Sequence, residues 1–505
     1  MMPFAEKLSF LMHITETSNK ELAAELSVDP SMISLMRTGK RKLSKNPAQA
    51  KKLALYFSKR CPAAFQRQAL SEMLGQVSIS PSMPTDVLAS CLENWLQGES
   101  DNIARTVLSG IQTLPIQAES VQTTFPAPPP ATESRTLFFY GEEGRREVMA
   151  LMMQEMQQME VPGSVLTVVD DNLEWLLSDY LFTKKVQAGF MELSERGFTF
   201  YQIMPPLNYI NRYAESLKFW LPIYATGQTK VYYYPRLRGN LYRHSIIVVP
   251  GRCVQYAASV GLGSTSDITM FTTDPSLVKA FEKQFQEHIA LCRPSLNVHH
   301  DPKDAIPCFS ELFSRQGDTI QAVSSLSINS MSQELLERCI READNPGQAE
   351  AFRMYLNELP HFEDRLGQDP YIDMCRLASA EEVRSGTVPV AAPAKTYSGQ
   401  LCYTPETYCL HLKNILQLME RYENYSFLPL HEKECPDYNL FVNEGGMALI
   451  VRTVEPIIML EIRRPPMVTA FREHLLRRAD AVGYEGISRE KVRIELRALI
   501  QELGG

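Results

Sequence analysis

The sequence predicts a multidomain protein, with an all-α N-terminal domain ahead of an α/β (α+β) C-terminal region that carries an internal duplication. Three observations lead there. The first 114 residues read as consecutive short helices with no β-rich run among them. Residues 115–135, PIQAESVQTTFPAPPPATESR, hold five prolines, few apolar side chains and no periodicity, the composition of an extended linker. Beyond it β-rich runs alternate with helical text, and one helical sequence recurs. A length of 505 residues already argues for about three domains at ~150 residues each.

Residues 1–75 form the first domain and residues 76–114 a helical extension of it. In the extension Leu88, Cys91, Leu92, Trp95 and Leu96 recur at i, i+3, i+4, i+7 and i+8, so one helix face is apolar and suits dimerisation. Past the linker, residues 136–300 read as an α/β sensor-like domain. Helical text at 142–159 and 173–195 brackets the apolar run 164–169; 198–204 alternates as a strand, and 245–250, 254–260 and 267–272 are β-rich. Residues 301–383 read as a helical connector, with helical text over about 311–362, and 384–398, rich in Pro, Ala and Gly, as a second linker. Residues 399–505 read as a shorter second α/β copy ending in a helix.

The duplication rests on DPSLVKAFEKQFQEHI, from Asp274, which matches RPPMVTAFREHLLRRA, from Arg464, at a constant offset of 190. β-rich runs precede each copy: SIIVV and ITMFTT in the first, YNLFVN, MALIVR and PIIMLEI in the second. Upstream, GFMELSERGFTFYQIM from Gly189 resembles NILQLMERYENYSFLPL from Asn414. The second copy lacks a counterpart of residues 219–239.

With 44% hydrophobic and 22% charged residues the composition is that of an ordinary globular protein. Apolar runs such as Met447-Ala448-Leu449-Ile450-Val451 fall far short of the ~18 to 20 residues a membrane helix needs, and the start MMPFAEKLSF lacks the apolar stretch of a signal peptide. A cytoplasmic protein with no membrane partner is expected. Ten cysteines without a Cys-x-x-Cys pair indicate neither a zinc ribbon nor a disulfide framework. The net charge of −8 hides an asymmetry: residues 1–75 carry twelve Lys/Arg against six acids, a balance of +6 that leaves −14 for the rest.

The most specific local text is NKELAAELSVDPSMISLMRTGKRKLS, from Asn19 to Ser44. Residues 20–26 make a short helix with Leu22, Ala23 and Leu26 inward, and Ser27 and Val28 make a tight turn. Asp29 then caps a second helix that Pro30 opens, because Asp accepts free backbone N–H groups and Pro has none to leave unpaired. That helix runs to about Thr38 and Gly39 ends it. Small Ala23 at the contact, with Val28 and Ile33 as inward anchors, makes the helix-turn-helix geometry that sets a second helix in a DNA major groove.

These residues resemble the phage-repressor Cro-like, or XRE-like, helix-turn-helix family. The matching positions are Leu22-Ala23, Val28, Ile33-Ser34 and Gly39-Lys40-Arg41, within residues 4–60. The resemblance implies a compact domain of four or five helices that binds palindromic operators in double-stranded DNA as a homodimer, in a bacterial transcription regulator. It places Asn19 where the family often has a phosphate-contacting Gln, and puts Ser31, Ser34 and Leu35 on the base-facing side. This chain departs from the family at Ser27, for a turn Gly, and at Arg37, for an acid. With Met32 and Leu35 apolar, contacts to thymine methyls carry more of the readout. Lys40, Arg41 and Lys42 follow the second helix, where phosphate contacts position such domains, although a run of charge is also an ordinary solvated face. For Arg37 an acid of its own domain is an alternative partner, and for Met32 and Leu35 a dimer interface is.

In the C-terminal region strands followed by helices, the duplication and the shared Pro-x-Leu/Met-Val-x-Ala-Phe resemble non-catalytic phospholipase D-like modules of some transcription regulators. Catalysis in that family needs two motifs of His-x-Lys followed by four residues and Asp. His411-Leu412-Lys413 meets Leu418 instead, and His431-Glu432-Lys433 reaches Asp437 one residue early. No enzyme and no catalytic residue is expected. His299-His300-Asp301 with Cys292 and Cys308 fits no common metal spacing and reads as a polar loop, so no metal or cofactor is expected. Tyr140-Gly141-Glu142-Glu143-Gly144 reads as a turn and helix start. Trp220, Tyr224, Tyr232, Tyr233 and Tyr234 beside Arg236 and Arg238 could line a pocket for an anionic or aromatic ligand, or serve as core aromatics. The function expected is a sequence-specific DNA-binding regulator whose C-terminal region senses an unknown small-molecule or protein effector. The alternatives are a phospholipase D-like phosphodiesterase with a DNA-targeting domain, or a helix-turn-helix protein whose large half is an interaction platform.

Overall fold

The computed structural model describes residues 4–38, 41, 47–63, 66–67, 69–70, 85–97, 100–114, 123, 125, 135–170, 173–204, 217, 219–235, 242–260, 268–343, 345–390, 401–431, 437–481 and 489–504. The chain divides into two compact units: Met1–Val107 with Ser120–Trp220 and Tyr232–Arg293, and Leu108–Glu119 with Leu221–Val231 and Pro294–Gly505. No described helix is long and apolar enough to cross a membrane.

The first unit begins with helices α1 (Phe4–Ile14), α2 (Asn19–Leu26), α3 (Pro30–Arg37), α4 (Pro47–Lys59) and α5 (Thr85–Gln97); α6 (Ser100–Gln112) follows. They have a core of their own, in which Leu8, Leu11, Leu22, Ile33, Phe57 and Leu92 have no exposed surface. A capping box of Ser18 and Glu21 starts α2. At its end Ser27 takes φ +55°, and the Val28 N–H reaches back to Ala23 O at 3.0 Å, the closure of a Schellman turn. A left-handed residue with a Cβ is strained, which is the physical reason for a turn glycine here. Ser27→Gly is therefore expected to raise stability by about 0.5–1 kcal/mol, as a higher unfolding midpoint in thermal or urea melts; an unchanged or lower midpoint would refute the strain argument. The apolar face of α5, expected at a dimer interface, instead packs within the chain on α4 and α1, with Leu88, Leu92, Trp95 and Leu96 buried.

The α/β part of the first unit runs β1 (Thr136–Tyr140), α7 (Gly141–Gln157), β2 (Ser164–Val169), α8 (Glu174–Leu177), α9 (Tyr180–Glu195) and β3 (Thr199–Met204). Then come β5 (Tyr242–Val249), β6 (Cys253–Val260), β7 (Ile268–Thr272) and α10 (Pro275–Ile289), while β4 (Thr229–Tyr233) is divided between the two units. Its sheet has the order β1-β7-β6-β5-β2-β3, antiparallel throughout except for the parallel pair β2 and β3. The Asp274 carboxylate caps α10 by accepting the Ser276 and Leu277 N–H groups at 2.9 and 3.0 Å.

The second unit runs β8 (Arg293–His299), α11 (Pro302–Ser314), β9 (Thr319–Val323), α12 (Gln333–Glu342), α13 (Pro346–Leu366), β10 (Tyr371–Arg376) and α14 (Ala380–Arg384). It continues with α15 (Pro405–Arg421), β11 (Tyr425–Leu430), β12 (Tyr438–Asn443), β13 (Met447–Arg452), β14 (Met459–Ile462), α16 (Pro465–Ala481) and α17 (Arg489–Glu502). Its strand order is β8-β14-β13-β12-β9-β10-β11, antiparallel as far as β9 and parallel from β9 to β11. Strand for strand, the first six positions repeat the order of the first unit, and the matched helices α10 and α16 each follow the third strand of the antiparallel set.

Two expectations need correction. Residues 301–383 are not a helical connector: they supply β9 and β10, the strands between β12 and β11, so the second copy is not the shorter one. β9 is five residues long and buried throughout, and so short an apolar run has no periodicity to separate it from a buried helix. The upstream match is also misplaced. β3 lies beside β2, whereas β11 lies beside β10, one strand farther out. An amphipathic helix followed by a buried strand produces similar text at either position.

Candidate nucleic-acid interface

The Asp29 carboxylate accepts the Ser31 N–H at 2.8 Å, and hydrogen bonding from the Ser31 side chain, together with this backbone bond, holds its carboxyl below the usual range. Along α3, Ile33 and Met36 are buried, so the helical period turns Ser31, Ser34, Leu35, Arg37 and Thr38 outward. Leu35 is 40% exposed, and Met32 is half-buried beside it. The outward stripe includes Ser31, Ser34 and Leu35, the two hydroxyls and one apolar side chain that the resemblance puts on the base-facing side.

The sequence leaves an acidic partner open for Arg37; the structure supplies a neutral one. Arg37 Nη1 donates to Asn19 Oδ1 at 3.0 Å, tying the last residue of α3 to the first of α2. An amide aligns the guanidinium without cancelling its charge. Arg41 is exposed, and its backbone N–H donates to Leu35 O at 3.1 Å, which keeps it against the end of α3. Lys40 and Lys42, with Gly39, lie outside the described residues. Lys20, Lys51, Lys52 and Lys59 are exposed, but two basic side chains turn inward. Lys7 Nζ donates to Trp95 O at 2.5 Å and Arg67 Nε to Cys61 O at 3.0 Å. No local pattern marks those two, because their acceptors are main-chain carbonyls brought up by folding.

The aromatic candidates for a ligand pocket are accounted for differently. Trp220 is buried with its ring 5.8 Å from Phe190 and 4.9 Å from Phe219, Tyr224 has no exposed surface, and Tyr233 is half-buried on β4. Ring packing on Phe190 and Phe219 accounts for the burial of Trp220. Arg236 and Arg238 lie outside the described residues. An open groove of about 890 Å³ lies instead along α10, lined by Leu166, Tyr201, Lys279, Lys283, Phe285 and Ile289. No motif announces it, since its walls come from β2, β3 and α10.

His411 is fully buried on α15: its Nε2 lies 3.0 Å from Ser330 Oγ and its Nδ1 2.8 Å from Tyr403 OH. Burial lowers its pKa to about 3. A neutral imidazole with both nitrogens engaged is in no position to attack a phosphate. His431 is exposed, but Lys433 lies outside the described residues. His299, read from the sequence as part of a loop, is the last residue of β8, and Cys308 lies on α11; burial and the Glu461 carboxylate push that thiol up to about 12.

No protein-family model matches the sequence, and no curated protein matches it. Among solved structures the chain is similar to NucT from Helicobacter pylori at 11% identity and TM-score 0.24, covering 32% of this chain and 99% of that one. A phospholipase D family member, Nuc from Salmonella typhimurium, matches at 13% identity and TM-score 0.24, covering 32% of this chain and 98% of that one. TrmBL2, an archaeal chromatin protein, matches at 13% identity and TM-score 0.23, covering 54% of this chain and 98% of that one.

Proposed function

We propose that this chain is a sequence-specific DNA-binding transcription regulator, in which α2 and α3 act as a helix-turn-helix and α3 enters the major groove. The observation that carries the proposal is the two-sidedness of α3. Ile33 and Met36 anchor it in the core while Ser31, Ser34, Leu35 and Arg37 are exposed on the other side. Eight residues at 1.5 Å rise span ~12 Å, a segment that fits a major groove ~12 Å wide. Arg37 and Arg41 flank the stripe as cations for phosphates, and Asn19 lies at the start of α2, where a second phosphate contact falls. The groove along α10 supports a regulatory role for the rest of the chain as the place an effector binds. The enclosure of His411 supports a binding protein over a phosphodiesterase.

Selection of bound duplexes from a random pool tests the proposal. The full chain should enrich one sequence motif, and Ser31→Ala should relax the preference at a single base position by about 1–2 kcal/mol, roughly 5- to 30-fold. Enrichment of no motif, or an identical motif from the variant, would count against base reading by α3.

A further inference from the structure

Three side chains far apart in the sequence meet in the second unit. Cys308 Sγ lies 3.7 Å from His299 Nε2 and 3.8 Å from Glu461 Oε2, and those last two atoms are 3.0 Å apart. All three donor atoms thus form one compact triangle on β8, β14 and α11. We propose that Cys308, His299 and Glu461 are the ligands of a zinc-type divalent transition-metal site, with a fourth position left for water.

The distances suit such an ion. Tetrahedral zinc with Zn–S of ~2.3 Å, Zn–N of ~2.0–2.1 Å and Zn–O of ~2.0–2.2 Å holds its donors about 3.6 Å (S to N), about 3.6 Å (S to O) and about 3.4 Å (N to O) apart. Each observed edge is within ~0.4 Å of that figure, so small side-chain shifts close the site. The donor set is selective as well. One thiolate, one imidazole and one carboxylate suit zinc and its neighbours, whereas calcium and magnesium demand a shell of oxygens. Thiolate and carboxylate together neutralise a divalent ion, and loading displaces the Cys308 thiol proton to solvent as the metal–sulfur bond forms.

The surroundings are built to orient the ligands. Glu461, its side chain only 4% exposed, is held on Oε1 by Arg463 Nε and on Oε2 by Asn297 Nδ2 at 3.0 Å. Arg463 is itself fixed by Glu311 through Nη1 at 2.6 Å and Nη2 at 2.5 Å. Behind His299, Asp304 Oδ2 lies 3.9 Å from Nδ1, so a carboxylate backs the ring nitrogen opposite the one facing the metal. The His299 side chain is 20% exposed, which leaves an approach from solvent.

The full chain, stripped with a chelator and titrated with cobalt(II), tests the site. One cobalt per chain should bind with a thiolate-to-metal charge-transfer band, and zinc should displace it. Cys308→Ser should abolish the band, and Asp304→Asn, an exposed position that leaves the core intact, should weaken binding by roughly 10- to 100-fold. His300→Gln, beside the site but outside the triangle, should change nothing. Absence of stoichiometric binding, a thiolate band that survives in Cys308→Ser, or equal affinity in Asp304→Asn and the parent would each overturn the proposal.

Discussion

Replacing Arg37 and Arg41 together by Ala is expected to lower affinity for every duplex by roughly 10- to 100-fold at physiological salt, and to reduce the slope of log K against log salt by about 2. Both side chains are exposed at the end of α3, and no acid among the described residues neutralises them there: Arg37 is held by the Asn19 amide, and the Arg41 backbone N–H by Leu35 O. Each phosphate contact releases about 0.9 counterion on B-form DNA, so the loss of two contacts must appear in the slope whatever the base sequence. Anisotropy titrations between about 50 and 200 mM salt, with the enriched duplex and an unrelated one, separate this from Ser31→Ala, which should affect the enriched duplex alone. A slope equal to that of the parent would remove Arg37 and Arg41 from the interface.

Acidification from about pH 6.5 to 4.5 is expected to cost the fold roughly 2–3 kcal/mol through His411 alone. Ser330 Oγ donates to Ser327 O at 2.8 Å and so accepts from His411 Nε2–H, which leaves Nδ1 to accept from Tyr403 OH. That arrangement needs a neutral ring, and burial lowers the folded pKa to about 3. The unfolded ring binds its proton near pH 6.5, so the stability is fully present above that pH and is lost progressively as pH falls towards about 3. Carboxylates shift with pH as well, and the difference between the parent and His411→Gln isolates the histidine: the two stability curves should converge on acidification, by about 1.4 kcal/mol per pH unit. Parallel curves would contradict the assignment. His411→Ala at neutral pH should cost about 3–5 kcal/mol, because it opens a cavity and leaves the Tyr403 hydroxyl without this partner.

The outward face of α3 was legible from a few local rules. Asp29 and Pro30 define a helix start, and Val28 with Ile33 mark its inward side. The resemblance to a known family put Ser31, Ser34 and Leu35 on the outer side, where all three are exposed. Ser27 was visible as a departure from a turn glycine, though its positive φ was not. Less legible were the pieces whose partners come from far along the chain. The reading of 301–383 as a helical connector concealed β9 and β10, whose parallel pairing depends on connections that local pattern does not report. The α5 face looked available for a second copy until α1 and α4 covered it. Trp220 and Tyr224 read equally as pocket lining or as core aromatics, and both are buried.

The sequence by itself determined the charge asymmetry, the pair α2 and α3 with their caps, and the repeated helix of the C-terminal region. All of these follow from neighbours within a turn or two of chain, or from text repeated outright. Only the tertiary structure decided that Arg37 is held by Asn19, that Lys7 and Arg67 are spent inside, and that both units share one strand order. It alone joined Glu461 to Cys308, 153 residues away, and to His299, 162 away. The physical reason is common to them all: groups on separate elements meet only through sheet pairing and helix packing, and no spacing rule along the chain encodes that meeting.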